Sequence, residues 1–175
     1  MHAFYIIKSL LHRHNSTQYA KIKQMETIIS NNLDIFIRLS VAMLLGVILG
    51  VERTIAHKTA GMRTYGLVSM GAALFVIISE MVAKNYFGVG SVDPLRMASQ
   101  VIAGIGFLGA GLIIFQEAGQ RISGLTTAAG LWVSAGIGIA VGFGFFSLAI
   151  FAAVLSLFVF TILWYIEKKI KEMSQ

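Results

Sequence analysis

The fold of this chain is decided by residues 122–166, which read ISGLTTAAGLWVSAGIGIAVGFGFFSLAIFAAVLSLFVFTILWYI. This run of 45 residues contains no Asp, Glu, Lys, Arg or His. As one straight helix it would measure about 67 Å, whereas the hydrocarbon core of a bilayer is about 30 Å thick. The segment therefore predicts two membrane-spanning helices that reverse at Gly142-Phe143-Gly144-Phe145, where two glycines relax the backbone.

The composition agrees with a membrane protein. Of the 175 residues 57% are apolar and 13% are charged, which is about half the charged fraction of a soluble domain. The absence of cysteine excludes a disulfide framework, a thiolate metal site and a cysteine nucleophile. The net charge is +6, but the basic residues lie at the ends of apolar segments, as bilayer headgroups favour. We therefore expect the lipid bilayer, and not nucleic acid, as a partner.

Three further apolar segments precede residues 122–166. The sequence therefore predicts an all-α integral membrane protein, a bundle of about five transmembrane helices with a glycine-rich third and fourth helix. The predicted spans cover residues 33–51, 64–83, 94–115, 124–141 and 146–166. We interpret residues 1–32 as a polar and basic leader, 33–166 as the transmembrane domain and 167–175 as a short basic tail. Translation could begin at Met1 or at Met25.

Ionisable residues inside or beside the spans need partners or access to headgroups. Asp34 and Arg38 lie one turn apart, so they can pair or reach the headgroups. Glu80 either extends to the interface or pairs with a basic group. Asp93 is a good N-cap and Pro94 suits the first position of the third helix.

Five spans place the two termini on opposite sides of the membrane. The 14 Lys and Arg residues divide seven against seven between the two sides. Counting only those near span ends leaves out Lys8 and Arg13. That count favours a cytoplasmic C-terminus, because cytoplasmic loops carry an excess of Lys and Arg.

Glycines recur along several spans. The third span reads GIGFLG at 104–109, which matches the letters of a dinucleotide-binding motif, but no strand precedes it and the run is apolar. Close helix packing is the better interpretation. The predicted packing glycines are Gly46, Gly50, Gly104, Gly106, Gly109, Gly111 and Gly130.

Polar residues near the start of the third span indicate a polar cleft. Arg96, Gln100 and Gly104 recur at helical spacing on one stripe, and Asp93 precedes them. An unpaired amide about two turns inside the membrane is costly. Gln100 therefore either hydrogen-bonds a neighbouring helix or lines a cleft with Asp93 and Arg96, and we favour the cleft for the three residues together.

The fourth span carries a matching stripe of small and polar residues, namely Thr126, Gly130, Ser134, Gly138 and Val141. We therefore expect the third and fourth spans to face each other. Thr126 and Thr127 begin the fourth helix, where hydroxyls can cap free amides. Around the first loop a Glu52–Arg63 clamp is plausible, whereas Arg53 and Lys58 are expected to be solvated. The candidate functional residues are Glu52, Arg63, Asp93, Arg96, Gln100, Thr126 and Thr127.

Several kinds of chemistry lack a motif. The four His residues lie outside the spans, and no cluster has metal-ligand spacing. The chain has no phosphate-binding loop and no Ser-His-Asp pattern. We expect no catalytic residue, no bound metal and no cofactor, and an intramembrane enzyme using Ser or Thr hydroxyls ranks last.

Three sequence blocks resemble the MgtC/SapB family of bacterial inner-membrane proteins. The first is GVER at 50–53 with AGMRT at 60–64. The second is DPLRMASQ at 93–100, which continues into GIGFLGAG at 104–111. The third is GLTTAA at 124–129 with LW at 131–132. The blocks occur in the family's order and spacing and cover roughly residues 35–142.

This resemblance implies about five spans and a location in the bacterial inner membrane. It also implies a role in growth under magnesium limitation or stress, in virulence through survival inside phagocytes, and in modulation of the F-type ATP synthase by membrane contact. MgtC proper carries a soluble C-terminal domain after the spans, whereas the predicted tail of this chain covers only residues 167–175. The chain therefore resembles the shorter SapB-like members of the family.

Two functional hypotheses follow. The first is a non-enzymatic regulatory membrane protein that packs its glycine-rich helices against a second copy or another membrane protein. The alternative is a small transporter or channel for Mg²⁺ or another ion, with a polar path along Asp93, Arg96, Gln100, Thr126 and Thr127.

Overall fold

The computed structural model describes Met25, residues 32–85, Asp93, residues 95–116 and residues 121–173. Residue contacts divide the chain into two units, Met1–Ile37 and Arg38–Gln175. Of the first unit the structure describes Met25 and the opening residues of the first helix. The predicted leader therefore lies outside the described residues, apart from Met25 and Asn32.

Five helices in the described residues are long and apolar enough to cross a membrane. In chain order the elements are α1 Asn32–Ile55, α2 Met62–Asn85, α3 Leu95–Leu112, β1 Ile114–Gln116, β2 Arg121–Ser123, α4 Leu125–Gly142, α5 Phe146–Phe158, a π-helical turn Val159–Leu163 and α6 Trp164–Met173. The last three join into one continuous helix, Phe146–Met173, which forms the fifth span. The prediction of a five-helix membrane bundle is confirmed.

The third helix is shorter than the sequence predicted. It ends at Leu112 and not at Phe115, because β1 pairs antiparallel with β2. Gly124 then has a φ of +90° directly before α4, a left-handed conformation that costs glycine little. A Cβ at this position would overlap the carbonyl oxygen of Leu112, so the glycine also lets the end of α3 approach the start of α4.

The reversal between α4 and α5 lies where the two glycines predicted it. The Phe143 and Gly144 amides donate to the Ile139 and Val141 carbonyls at 3.0 and 2.9 Å, which closes the last turn of α4. Gly144 has a φ of +81°. Glycine adopts this left-handed conformation without strain, whereas residues with a Cβ do not.

Helix α4 is the centre of the bundle. Half of its span is buried within the chain, against 17% for α3. The third and fourth spans do pack together, with Ile105 and Ala135 in one buried cluster, as expected. The small-residue stripe of α4, however, faces α2, so the expectation that the two stripes meet is wrong. Ser134 Oγ donates to the Tyr65 carbonyl at 3.1 Å. A Cβ on Gly138 would overlap the Ser69 carbonyl oxygen, so the two backbones are in direct contact there.

The predicted packing glycines fall into two groups. Gly46 and Gly50 lie against α2, where an added Cβ would come within 2.5 Å of Tyr65 O and Met62 Cα, respectively. Gly130 is equally closed, and an added Cβ on Gly109 would lie in ordinary contact with the Ala128 Cβ, at 3.7 Å. An added Cβ on Gly104, Gly106 or Gly111 would meet no atom within 4 Å. These three glycines of α3 therefore do not pack within the described chain.

An ion pair ties three helices together at one end of the bundle. Arg38 Nη1 donates to Glu80 Oε2 at 3.0 Å and to the Gly142 carbonyl at 2.8 Å. Lys84 contacts the other oxygen of Glu80 at 2.9 Å. Arg38 thus joins α1 to α2 and places a positive charge on the C-terminal carbonyls of α4, where the helix dipole favours it.

Substituting Arg38 tests this arrangement. Arg38→Ala is expected to lower the unfolding free energy by about 2 kcal/mol, because charge-assisted hydrogen bonds to Glu80 and Gly142 are lost. The unfolding free energy is measured by SDS titration in detergent, with circular dichroism to monitor the loss of helix. Lys84→Ala is the matched control, since its exposed pair with the same carboxylate should contribute less than about 1 kcal/mol. Equal losses in the two variants would contradict the role given to Arg38.

Candidate functional site

Successive helices run in opposite directions, and this separates the predicted polar residues into two groups at opposite ends of the bundle. The end of α3 meets the start of α4, where Gly109 lies against Ala128. Gln100 is nine residues before Gly109, which places it about 13 Å away along the α3 axis. Asp93 and Arg96 lie farther still, whereas Thr126 and Thr127 lie at the meeting point. The single polar path expected along these five residues is therefore not formed.

The residues at the start of α3 have separate local roles. Asp93 Oδ1 accepts a hydrogen bond from the Leu95 amide at 2.9 Å, which confirms its role as the N-cap, while Pro94 lies outside the described residues. Arg96 is exposed, and its carbonyl accepts from Ser99 Oγ at 2.7 Å. Gln100 is exposed on the surface of the chain and lines a groove between α2 and α3.

The opposite end of the bundle contains a buried arginine. Arg53 is only 3% exposed, so the expectation that it is solvated is wrong. Its Nε donates to Glu52, its Nη2 donates to the Phe160 carbonyl at 3.4 Å, and its guanidinium carbon lies 3.9 Å from the Phe160 ring centroid. A planar guanidinium can stack and donate at the same time, which a lysine cannot do.

Glu52 therefore pairs with Arg53 and not with Arg63. Arg63 is exposed in the first turn of α2, and no ion pair joins it to Glu52 in the structure. The plausible Glu52–Arg63 clamp is replaced by a pair between neighbours in sequence. As a result the positive charge of Arg53 is largely balanced within the chain.

The π-helical turn places Phe160 beneath Arg53. A π turn adds one residue to the helical repeat and is often found at functional sites. Within Val159–Leu163 the Phe160 side chain points inward and is 5% exposed. Gly130 makes room for it, because a Cβ there would come within 2.7 Å of Phe160 Cζ. Helices α1, α4 and the fifth span therefore meet at this arginine.

Tyr65 connects the same region to α2. Its side chain is fully buried, and its hydroxyl donates to the Thr127 carbonyl at 3.1 Å. Gly130 accommodates this hydroxyl as well, since an added Cβ would overlap it. Thr127 is itself buried, whereas Thr126 is exposed. The first turn of α4 is thus held by α2 on one side and open on the other.

The end of α1 places a second cation, Lys58, near Arg53. The Lys58 amide donates to the Arg53 carbonyl at 2.9 Å and the His57 amide to the Thr54 carbonyl at 3.1 Å. His57 has a φ of +51°, a position that glycine usually occupies in this helix-ending motif. The turn leaves Lys58 lining the same cavity as Arg53.

We call this cavity the Arg53 cavity. It has a volume of about 460 Å³ and lies between the end of α1, the start of α4 and the fifth span. Its polar lining consists of Arg53, Lys58, Thr126, Thr127, Trp164 and Glu167. Of the residues singled out from the sequence, the structure brings the two threonines to this cavity, and Glu52 joins it through its pair with Arg53.

Sequence reasoning missed Arg53, Tyr65 and Phe160 as functional or structural contacts. It included pairing of Glu80 with a basic group as one alternative, which the structure confirms, but it did not name Arg38 as the partner. The Arg38–Glu80 pair had a signal, because the two residues lie at similar depth in adjacent antiparallel spans, where ionisable residues are rare. Nothing local marks Phe160, whose contact with Arg53 joins residues 107 positions apart.

The structure defines the class of protein as a multi-pass α-helical membrane protein. No group of three or more His, Cys, Asp or Glu residues that could hold a metal ion occurs in the described part of the chain. The sequence matches the MgtC family over residues 39–169. Because this match covers most of the chain, the protein belongs to the MgtC family.

Several curated relatives are similar to this chain. An uncharacterized protein of Haemophilus influenzae is 42% identical over 73% of the chain and 54% of its own length. The Escherichia coli K12 protein named "Putative magnesium transporter YhiD" is 41% identical over 72% of the chain and 59% of its own length. Protein MgtC of Brucella abortus is 48% identical over 65% of the chain and 44% of its own length. The chain spans about half the length of these relatives. No solved structure matches it.

Proposed function

We propose that this protein is a non-enzymatic membrane protein that binds a transmembrane helix on the outer face of α3. The occupant is a helix of another membrane protein or of a second copy of the chain. The observation that carries the proposal is the exposed amide of Gln100, which lies about two turns inside the third span, beside glycines that pack against no other described residue.

The groove beside Gln100 has a glycine on each of its two walls. It has a volume of about 500 Å³ and runs between α2 and α3. Its walls include Gly71 and Gly104, where an added Cβ would meet no atom within 4 Å. Small residues let the backbones of membrane helices approach closely, and polar side chains then hydrogen-bond across the interface. An approaching helix would therefore find both close contact and a hydrogen-bonding partner.

The amide of Gln100 would be stabilised if a partner helix covered the groove. Its amide makes no hydrogen bond to any other residue that the structure describes, and hydrocarbon offers it none. Polar side chains within spans are uncommon unless they face a bundle interior or a partner. A partner helix with a hydroxyl or amide at the matching depth would satisfy Gln100.

The biological setting of the proposal comes from the relatives. One carries magnesium transport in its name and others are called MgtC. We therefore propose a role in adaptation to low magnesium or to stress, including stress during virulence, in the bacterial inner membrane. The C-terminal end is proposed to be cytoplasmic, and the F-type ATP synthase is one candidate partner. The alternative is a transporter or channel for Mg²⁺ or another ion. The path suggested for it is divided between the two ends of the bundle.

Crosslinking tests the proposed helix-binding face. The chain has no cysteine, so Gly104→Cys places one reactive group in the groove. Phe151→Cys is the control, because Phe151 is 62% exposed on a different face, in α5. We expect Gly104→Cys to capture a defined partner or a second copy in membranes, and Phe151→Cys to capture neither.

Two further measurements complete this test. In the Gly104→Cys background, Gln100→Leu should reduce the crosslinked fraction about threefold, because an interhelical hydrogen bond in a membrane contributes about 0.6 kcal/mol. Equal crosslinking from positions 104 and 151 would contradict the proposed face. Magnesium flux in proteoliposomes of the purified chain would favour the transport alternative.

A further inference from the structure

We propose that the Arg53 end of the bundle binds the phosphate of an anionic phospholipid. The acyl chains would lie in a groove between α1 and the fifth span. The phosphate would lie in the Arg53 cavity, against Lys58 and the first turn of α4. This inference is independent of the proposed function, because it concerns the opposite end and a different face of the chain.

The first observation is the charge of the Arg53 cavity. Arg53 is paired with Glu52, and Glu167 contacts Lys171 Nζ at 2.6 Å. Lys58 also lines the cavity and makes no ion pair with any residue that the structure describes. The cavity therefore holds one cation that the described chain does not neutralise, next to a second that is buried.

The second observation is the start of α4, which supplies donors to the same cavity. The first intrahelical bond of α4 joins the Ala128 amide to the Gly124 carbonyl at 2.8 Å. The preceding amides of Leu125, Thr126 and Thr127 therefore lack intrahelical acceptors. Gly124, which occupies the N-cap position, has no side chain with which to cap them. Together with the Thr126 hydroxyl, these donors and the positive end of the helix dipole suit an anion.

The third observation is an apolar groove that shares its polar end with the cavity. This groove of about 650 Å³ is lined by Arg53, Lys58 and Trp164, which also line the Arg53 cavity. Its apolar wall includes Ile48, Val51 and Leu157. Ile48 and Val51 are 47% and 38% exposed on the outside of α1, toward the bilayer.

These features together identify a phospholipid and not a free anion. A soluble phosphate would use the cations and amides but would leave the apolar groove unfilled. A phospholipid fills both, because its ester phosphate lies at the membrane interface and its chains enter the hydrocarbon. Trp164 and Tyr165 line the groove at this level, as aromatic residues commonly do at membrane interfaces.

Quenching of Trp164 by brominated lipids tests the proposal on the full chain. The chain has two tryptophans, so Trp132→Phe leaves Trp164 as the only one. The variant is reconstituted with mixtures of dibrominated phosphatidylglycerol or dibrominated phosphatidylcholine, and relative binding constants are read from the quenching. We expect phosphatidylglycerol to bind about fivefold more tightly, as one lysine near the surface predicts.

One lysine variant and one arginine variant distinguish binding at a specific site from attraction by the general surface charge. Lys58→Gln should remove the roughly fivefold preference. Arg63→Gln, which removes an exposed charge at the same end, should retain it within about twofold. Equal binding of the two lipids, or equal losses in the two variants, would overturn the proposal. If millimolar inorganic phosphate removed the preference while sodium chloride of equal ionic strength did not, the site would belong to a soluble anion and the lipid assignment would fail.

Discussion

Gly138→Ala is expected to destabilise this protein strongly. The added Cβ would overlap the Ser69 carbonyl oxygen and lie 2.9 Å from the Ala72 Cβ. The contact is with backbone and not with the end of a flexible side chain, so α2 and α4 must separate along the crossing. Overpacking of this kind costs about 3 kcal/mol or more. SDS titration followed by circular dichroism should show the loss in unfolding free energy.

Gly136→Ala provides the matched control in the same helix. An added Cβ at Gly136 meets no atom within 4 Å. Because alanine favours a helix over glycine by about 1 kcal/mol, this variant should be neutral or slightly stabilised. A similar loss in both variants would show that any added methyl group destabilises α4, and that the crossing at Ser69 is not the sensitive contact.

Arg53→Met is expected to have the next largest effect. It leaves Glu52 without its partner and removes the donor to the Phe160 carbonyl, while the apolar stem keeps most of the volume. Removing one member of a buried ion pair typically costs about 3 to 5 kcal/mol. We expect a loss near the lower end of this range, because Glu52 is partly exposed. The same SDS titration measures it.

Additional variants separate the parts of this effect. Arg53→Lys keeps the charge but loses the planar stack on Phe160, so most of the loss should remain. The double variant Glu52→Gln with Arg53→Met removes the orphaned charge and should recover part of the stability. Arg63→Met, an exposed arginine at the same end, should change stability by less than about 0.5 kcal/mol. A loss in Arg63→Met as large as in Arg53→Met would contradict the special position of Arg53.

The spans could be predicted because hydrocarbon imposes a simple requirement on the chain. Each crossing must satisfy its backbone internally and must match the membrane thickness, so long uncharged runs identify helices. The turn at 142–145 and the cap at Asp93 were also readable, since glycine and aspartate act there through local backbone geometry.

The faces of the helices could not be assigned in the same way. A small-residue stripe indicates that something approaches closely, but it does not say which helix approaches. The stripe of α4 meets α2 at Ser134 and Gly138, whereas Gly104 of α3 meets nothing in the described chain. Which of several glycine-rich faces pair depends on the summed packing of the whole bundle.

The prediction of one polar site was wrong, and the sequence already contained the reason. Successive spans run in opposite directions, so the starts of the third and fourth helices must lie at opposite ends. Asp93 and Thr126 therefore could not have shared one cleft. The burial of Arg53 is different, because it depends on Phe160 and on a π turn 107 positions later that no local pattern indicated.

The π turn also has a consequence for how the last helix is compared with its relatives. One additional residue per repeat rotates everything after it by about 100° with respect to a regular α-helix. Residues 146–158 and 164–173 consequently cannot be drawn on a single helical wheel. A homologue of equal length that forms a regular α-helical turn here would align with this chain residue by residue and yet aim its final aromatic and basic side chains in another direction.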